Sequence, residues 1–137
     1  MQACTFHIGE LLVAIPTEEI REIVLPQTVT PLPLAPALVR GLTHVRGDIH
    51  IAVYLHARLA QSESDLNADN CLQVILTENH GAIALLVDAV GDIVDFPEES
   101  SVFEPGALAM KAETQHNGEV LLLHVANAIN PTATPGE

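Results

Sequence analysis

The side chains that could do acid–base, nucleophilic or metal chemistry are seven histidines, eighteen carboxylates and two cysteines. A metal centre needs three or four converging ligands. His44, His50 and His56 share the parity of one strand face, while His7, His80, His116 and His124 fall separately on a strand, a turn, a loop and another strand. This spacing reads as solvated histidines on an exposed sheet face. The rival reading is a β-barrel that binds a small ligand or a metal through them. Cys4 and Cys71 are too far apart for a Cys-x-x-Cys motif and read as two reduced, packed thiols. Any two carboxylates form a conceivable acid–base pair, but Glu18-Glu19 and Glu98-Glu99 read as turn or helix-start residues. The glycines are scattered rather than gathered into a phosphate-cradling loop, and no Gly-x-Ser-x-Gly elbow occurs. The expectation is a protein with no catalytic residues, no metal and no cofactor, hence not an enzyme.

Charge narrows the partners. The formal net charge is −13, which disfavours the phosphates of nucleic acid and anionic membrane surfaces. Between Arg58 and Lys111 stand ten Asp or Glu and no Lys or Arg. That stretch reads as a solvated acidic surface, or as a face for a basic partner. No apolar run approaches the roughly 20 residues of a membrane span. Met1-Gln2-Ala3-Cys4 lacks the regions of a signal peptide. No membrane insertion and a cytoplasmic location are therefore expected.

The elements follow from composition and period. With three Phe, one Tyr and no Trp, the core must be Val, Ile, Leu and Ala, which leans toward strands. Residues 4–15 read as a hairpin turning at Gly9-Glu10, Pro16–Glu19 as one helical turn, and Ile20–Val24 as a strand. Pro26, Pro31, Pro33 and Pro36 mark a loop, with a short helix starting at Pro36-Ala37-Leu38. Residues 49–55 alternate, placing Ile49, Ile51, Val53 and Leu55 on one face and His50, Ala52 and Tyr54 on the other. A polar loop at 61–70 precedes strands at Cys71–Thr77, Ala82–Val87, Ile93–Phe96 and Val120–Val125, with a turn at Glu78–Gly81. The tail 131–137 is expected to fray. Ile20-Arg21-Glu22-Ile23-Val24 is echoed by Val90-Gly91-Asp92-Ile93-Val94, each soon followed by proline. The echo predicts two similar β units of roughly 65 residues.

Val39-Arg40-Gly41-Leu42-Thr43-His44-Val45-Arg46-Gly47-Asp48-Ile49, closed by Leu55 and Arg58, resembles the signature of the CheW-like domain family. Ile20-x-Glu22-Ile23, then Pro33 and Pro36, then Leu86-Val87-Asp88-Ala89-Val90 fall in family order, so the resemblance covers about residues 4–129. His44-Val45 stands where the family usually has Asn-Leu, and Ile51 and Tyr54 where it has Pro and Asp. These departures fit a divergent copy, such as one serving type IV pilus motility or another non-flagellar chemosensory system.

The resemblance implies an all-β fold of two SH3-like five-stranded barrels side by side, with a few short helices. It would form one domain over 1–130, split near 61–82, with the N-terminal strand open to sharing between the barrels. It also implies a non-enzymatic adaptor joining methyl-accepting chemoreceptor tips to the regulatory domain of a CheA-type histidine kinase. The receptor's helical hairpin would lie in a groove between the barrels. A copy that has lost receptor coupling is the alternative within the family. By position, the resemblance puts Ile20, Glu22, Gly41, Arg46, Leu72, Ala84, Val90 and Ile93 at or near this groove. Ile20, Leu72, Val90 and Ile93 read equally as core. Gly41 reads equally as a turn or close-approach residue, and Ala84 as small because a strand packs against it. Glu22 and Arg46 are charges in apolar strand context, where isolation is costly. They are expected to form a salt bridge at the barrel surface.

Overall fold

The computed structural model describes residues 1–55, 58–59, 68–96, 107–114 and 118–130. The expectations for His56, His116, Glu98-Glu99, the 61–67 part of the polar loop and the 131–137 tail lie outside these residues.

The N-terminal hairpin is β1 (Gln2–Ile8) and β2 (Leu11–Pro16), turning through Gly9 at φ 61°. A 3-10 turn at Thr17–Glu19 leads into β3 (Ile20–Val24). Next come β4 (Val39–Val45) and β5 (Asp48–Val53), β6 (Leu72–Leu76) and β7 (Ile83–Val87), then β8 (Ala89–Asp95). The pair β9 (Ala109–Thr114) and β10 (Gly118–Leu123) and a one-turn α1 (Val125–Ala128) are the last elements among the described residues. Pro36-Ala37-Leu38 makes a turn rather than a helix: the Val39 N–H donates to the Pro36 carbonyl at 2.8 Å, and the chain enters β4 at once.

The strands form two five-stranded sheets, ordered β3-β6-β7-β5-β4 and β8-β1-β2-β10-β9. These are the two SH3-like subdomains. Sheet membership changes at the Thr17–Glu19 turn and at Asp88. The boundary expected near 61–82 therefore falls inside one subdomain, because β7 pairs in parallel with β5 and anchors the β6–β7 hairpin there. The N-terminal hairpin is not shared; it completes the second subdomain by pairing with β8 and β10.

The echo in the sequence is structural. Each sheet holds three antiparallel pairings and one parallel one, in the same order. Superposing the pairings makes β3 the counterpart of β8, β6 of β1, β7 of β2, β5 of β10 and β4 of β9. The second unit is thus permuted, its last two strands supplied by the chain's start. In the first unit Ile20 opposes Leu76 and Ile23 opposes Val74; in the second Val90 opposes Phe6 and Ile93 opposes Cys4. Three steps on one strand match two on its partner, which is a β-bulge. The bulge explains why aliphatics three apart, rather than two, share a face in both units. Gly91 sits in one bulge because a Cβ there would meet Thr5 Oγ1 at 2.4 Å, and that hydroxyl donates to the Asp92 carbonyl at 2.7 Å.

The largest core lies between the sheets. Phe6, Ile8, Val13 and Ile15 from one meet Val53, Val74, Leu76, Leu85 and Val87 from the other, with Leu123 and Val125 beside them. Each large aliphatic buried here contributes roughly 1.5–3 kcal/mol. The opposite strand faces fill the barrels: Ala14, Val120 and Leu122 in one, and Ala52, Tyr54, Ile75, Ala84 and Leu86 in the other.

This arrangement corrects the reading of β5. His50 is not on a solvated face; it is buried, opposite buried Thr43, and its Nδ1 lies 3.3 Å from the Asp48 carbonyl. The alternation was read correctly, but the interior takes the His50-Ala52-Tyr54 face. Val53 and Leu55 face the other subdomain, and Ile49 and Ile51 overhang beyond it, 56% and 40% exposed. Tyr54 is buried under Arg40, whose guanidinium lies 4.4 Å from the ring centroid.

A candidate docking groove

Two edge strands, β3 and β8, border the inter-sheet core. Their bulges aim aliphatic side chains onto the faces that build that core. Ile20 packs against it, Ile23 is partly exposed, and Val90 and Ile93 stand 44% and 63% exposed. The end of β2 ties these edges together: Ala3 pairs with Pro16, the Thr17 hydroxyl donates to the Gln2 carbonyl at 3.3 Å, and Gln2 pairs with Asp95. The start of β3 thus lies on the side of the molecule where β8 ends. Leu72, opposite Val87, packs at the margin of the same core.

Glu22 and Arg46 stand together. The Arg46 Nε–H reaches Glu22 Oε1 at 3.0 Å and Oε2 at 3.1 Å. Arg21 Nε lies 3.8 Å from Glu22 Oε2. Arg46 belongs to the β4–β5 turn, where it and Gly47 take φ 52° and 86°, the signs of a type I′ hairpin. That turn brings β5 back toward β3, so Arg21 shares a cleft of about 360 Å³ with Asp48, Ile49, His50, Leu76 and Glu78.

Two of the positions derived by resemblance offer no side chain to a partner. Ala84 is fully buried inside its barrel, and its counterpart in the other unit, Ala14, is buried too. Gly41 is enclosed: at φ 155° an added Cβ would lie 2.1 Å from the Thr30 carbonyl oxygen. Thr30 bridges Leu42 there through two 2.8 Å hydrogen bonds. The sequence reading missed Ile23, Ile49 and Ile51 as exposed aliphatics, along with Leu25 at 76% and Leu34, fully exposed at φ 63°. For Ile23 the signal was present, since it stands in the echo where Ile93 does.

The chemistry-bearing residues are dispersed. Among the described residues, no three His, Cys, Asp or Glu side chains are grouped to hold a metal ion. His80 Nε2 lies 3.2 Å from Glu19 Oε1, and His124 Nδ1 accepts from the Asn127 N–H at the start of α1. Burial, reinforced by the Asp88 charge, pushes the Cys71 thiol up to about 11. Burial also raises the Cys4 thiol. Neither sulfur is tuned toward nucleophilic reactivity. Among the described residues no helix is long and apolar enough to cross a membrane.

Comparison with known proteins agrees with this architecture. Over 101 residues, 72% of this chain, the sequence is 33% identical to chemotaxis protein CheW of Treponema pallidum. The aligned part spans 59% of that protein's length. The fold matches the crystal structure of the scaffolding protein TtCheW from Thermoanaerobacter tengcongensis with a TM-score of 0.79 at 18% identity, covering 98% of this chain and 91% of that one. The CheW-like domain model matches residues 2–129, nearly the whole length, and the chain belongs to that family.

Proposed function

We propose that this protein is a non-enzymatic coupling adaptor of the cytoplasm. It joins the tip of a methyl-accepting chemoreceptor to the regulatory domain of a CheA-type histidine kinase. The observation that carries this reading is the pair of equivalent edges, β3 and β8, each presenting a bulge-spaced aliphatic pair beside the inter-sheet core. A monomer gains nothing by leaving Val90 and Ile93 in water, whereas an amphipathic helix laid between the edges would bury them. Family membership supports the same role. Ile20, Leu72, Val90 and Ile93 supply apolar contact in this reading, and Glu22 with Arg46 fixes the β3 edge. Gly41 and Ala84 act only by shaping the barrel behind it.

The test is titration calorimetry at physiological salt, first with the regulatory domain of the kinase from the same organism, then with a receptor-tip fragment. Binding to both, with the receptor arm lost on Val90→Asp and Ile93→Asp, is the expected result. Binding to the kinase alone would identify an adaptor that has lost receptor coupling. Binding to neither by a cooperatively melting protein would overturn the proposal.

A further inference from the structure

Inside the first barrel lies a polar group that the fold does not ask for. His50, Thr43 and Gln73 are 4%, 1% and 0% exposed. Thr43 and Gln73 satisfy each other, the Gln73 Nε2 donating to Thr43 Oγ1 at 3.1 Å. The counterparts of the three in the second unit are Val120, Ala112 and Ala3, all buried. An apolar interior therefore serves this architecture, and burying polar atoms costs free energy unless each finds a partner.

His50 is the member left incomplete. Its Nδ1 lies 3.3 Å from the Asp48 carbonyl oxygen, which only accepts, so Nδ1 carries the hydrogen. In the neutral ring Nε2 is then a lone-pair acceptor. It has no hydrogen-bond partner among the described residues. The ring leans back over Asp48, toward the end of β5 that borders the 360 Å³ cleft, and His50 lines that cleft. Asp48 and Glu78 line it too, both exposed and neither in an ion pair among the described residues. Arg21 is the cation among the lining residues, and its Nε faces Glu22 Oε2 at 3.8 Å. Leu76 and Ile49 add apolar wall, Ile49 being 56% exposed.

A buried acceptor, two unpaired carboxylates and an aliphatic wall suit a positively charged donor on an apolar stem. Among the described residues no grouping suits a metal ion, so the cation is organic. A free amine inside the cleft would leave Ile49 and Ile51 in water, whereas a protein surface would cover them. We propose that the cleft receives a Lys or Arg side chain of a partner protein, its head between His50 Nε2, Asp48 and Glu78 and its stem along Ile49 and Leu76. The net charge of −13 favours approach of such a basic surface.

The probe is the peptide acetyl-Ile-Lys-Ile-amide, titrated into the full protein and followed by amide and imidazole nitrogen resonances. Its references carry norleucine or glutamate in place of lysine. The lysine peptide should bind about tenfold more tightly than the norleucine peptide, as befits a hydrogen bond from a charged donor. It should shift the amides of Asp48, His50 and Glu78 and move the His50 Nε2 resonance upfield. His50→Val copies the residue of the second unit, so it should melt no lower than wild type and lose that tenfold preference. Asp48→Asn with Glu78→Gln, two changes on exposed side chains, should weaken the lysine peptide several-fold and leave the norleucine peptide unchanged. Equal binding of the lysine and norleucine peptides, a preference for glutamate, or no binding by any of the three would overturn the proposal. A lysine preference that survives His50→Val, with Nε2 unshifted in wild type, would overturn it as well.

Discussion

Replacing Gly41 by alanine should separate a structural role from a docking role at this position. The added methyl would sit 2.1 Å from the Thr30 carbonyl oxygen and 2.7 Å from its carbon, so backbone has to move. The Thr30–Leu42 bridge is what stands in the way, and it consists of two 2.8 Å hydrogen bonds. Losing both costs about 1–3 kcal/mol. Holding alanine at a φ of 155° adds about 1–2 kcal/mol. The sum is about 2–5 kcal/mol, or a fall in Tm of about 10–20 °C for a domain of this size. Gly47 provides the control: its φ is 86°, but nothing lies within 4 Å of its Cβ position, so alanine there bears only the conformational cost. Scanning calorimetry of both variants decides the matter. Equal shifts for Gly41→Ala and Gly47→Ala would refute the steric argument. Kinase or receptor affinity lost by folded Gly41→Ala protein at low temperature would show that Gly41 does more than close the barrel.

Glu22→Arg and Arg46→Glu should each weaken receptor-tip binding several-fold, and the two together should recover part of that loss; a double-mutant cycle with no coupling would remove the pair from the mechanism. Because Arg46 is largely exposed, the stability change on Arg46→Glu should stay within about 1 kcal/mol by chemical denaturation. Ile93→Asp should lower receptor-tip affinity at least tenfold while shifting stability by less than about 1 kcal/mol, since its side chain stands in solvent. Cys71 holds its proton in the folded state up to about 11, against 9.0 as the ordinary value. The unfolded chain therefore binds fewer protons than the native one between these limits, and stability contributed by the neutral thiol is lost as pH rises through that window. Melting curves of wild type and Cys71→Ala should converge from pH 9 to 11; parallel curves would contradict it.

Much of the fold was legible because it obeys local rules. The β1–β2 hairpin, β3, β6 and β7 each carry a short aliphatic run bounded by turn residues, and the structure places them where the pattern did. β9 was hidden, since Ala109-Met110-Lys111-Ala112-Glu113-Thr114 has neither clean alternation nor β-branched residues until its end. It forms a strand because β10 pairs with it along its length. The subdomain boundary was also hidden, since a parallel β5–β7 pairing leaves no local trace. On β5 the alternation was visible but its sense was not: an aliphatic face is the natural candidate for burial. Only tertiary structure reveals that the interior takes His50 and leaves Ile49 outside.

The two equivalent units distinguish what folding requires from what it permits. At several buried positions the units agree in kind: Ala84 with Ala14, Leu85 with Ile15, Val53 with Leu123, all in cores. At the overhang they part. Leu42, Ile49 and Ile51 in one unit correspond to Lys111, Glu119 and Leu121 in the other. Lys111 and Glu119 make an exposed ion pair at 3.8 Å, the ordinary behaviour of a solvated sheet face. The same backbone position therefore tolerates charge, and isoleucine at 49 answers no folding demand. Like Val90 and Ile93 it is exposed, and it shares a cleft with Arg21 of β3. An exposed aliphatic whose structural twin is a glutamate is better evidence of a partner than exposure alone. Ile49→Glu, which copies the twin, should leave the melting temperature within about 2 °C of wild type and weaken receptor-tip or kinase binding. Unchanged affinity for both would confine the docking surface to the β3 and β8 edges.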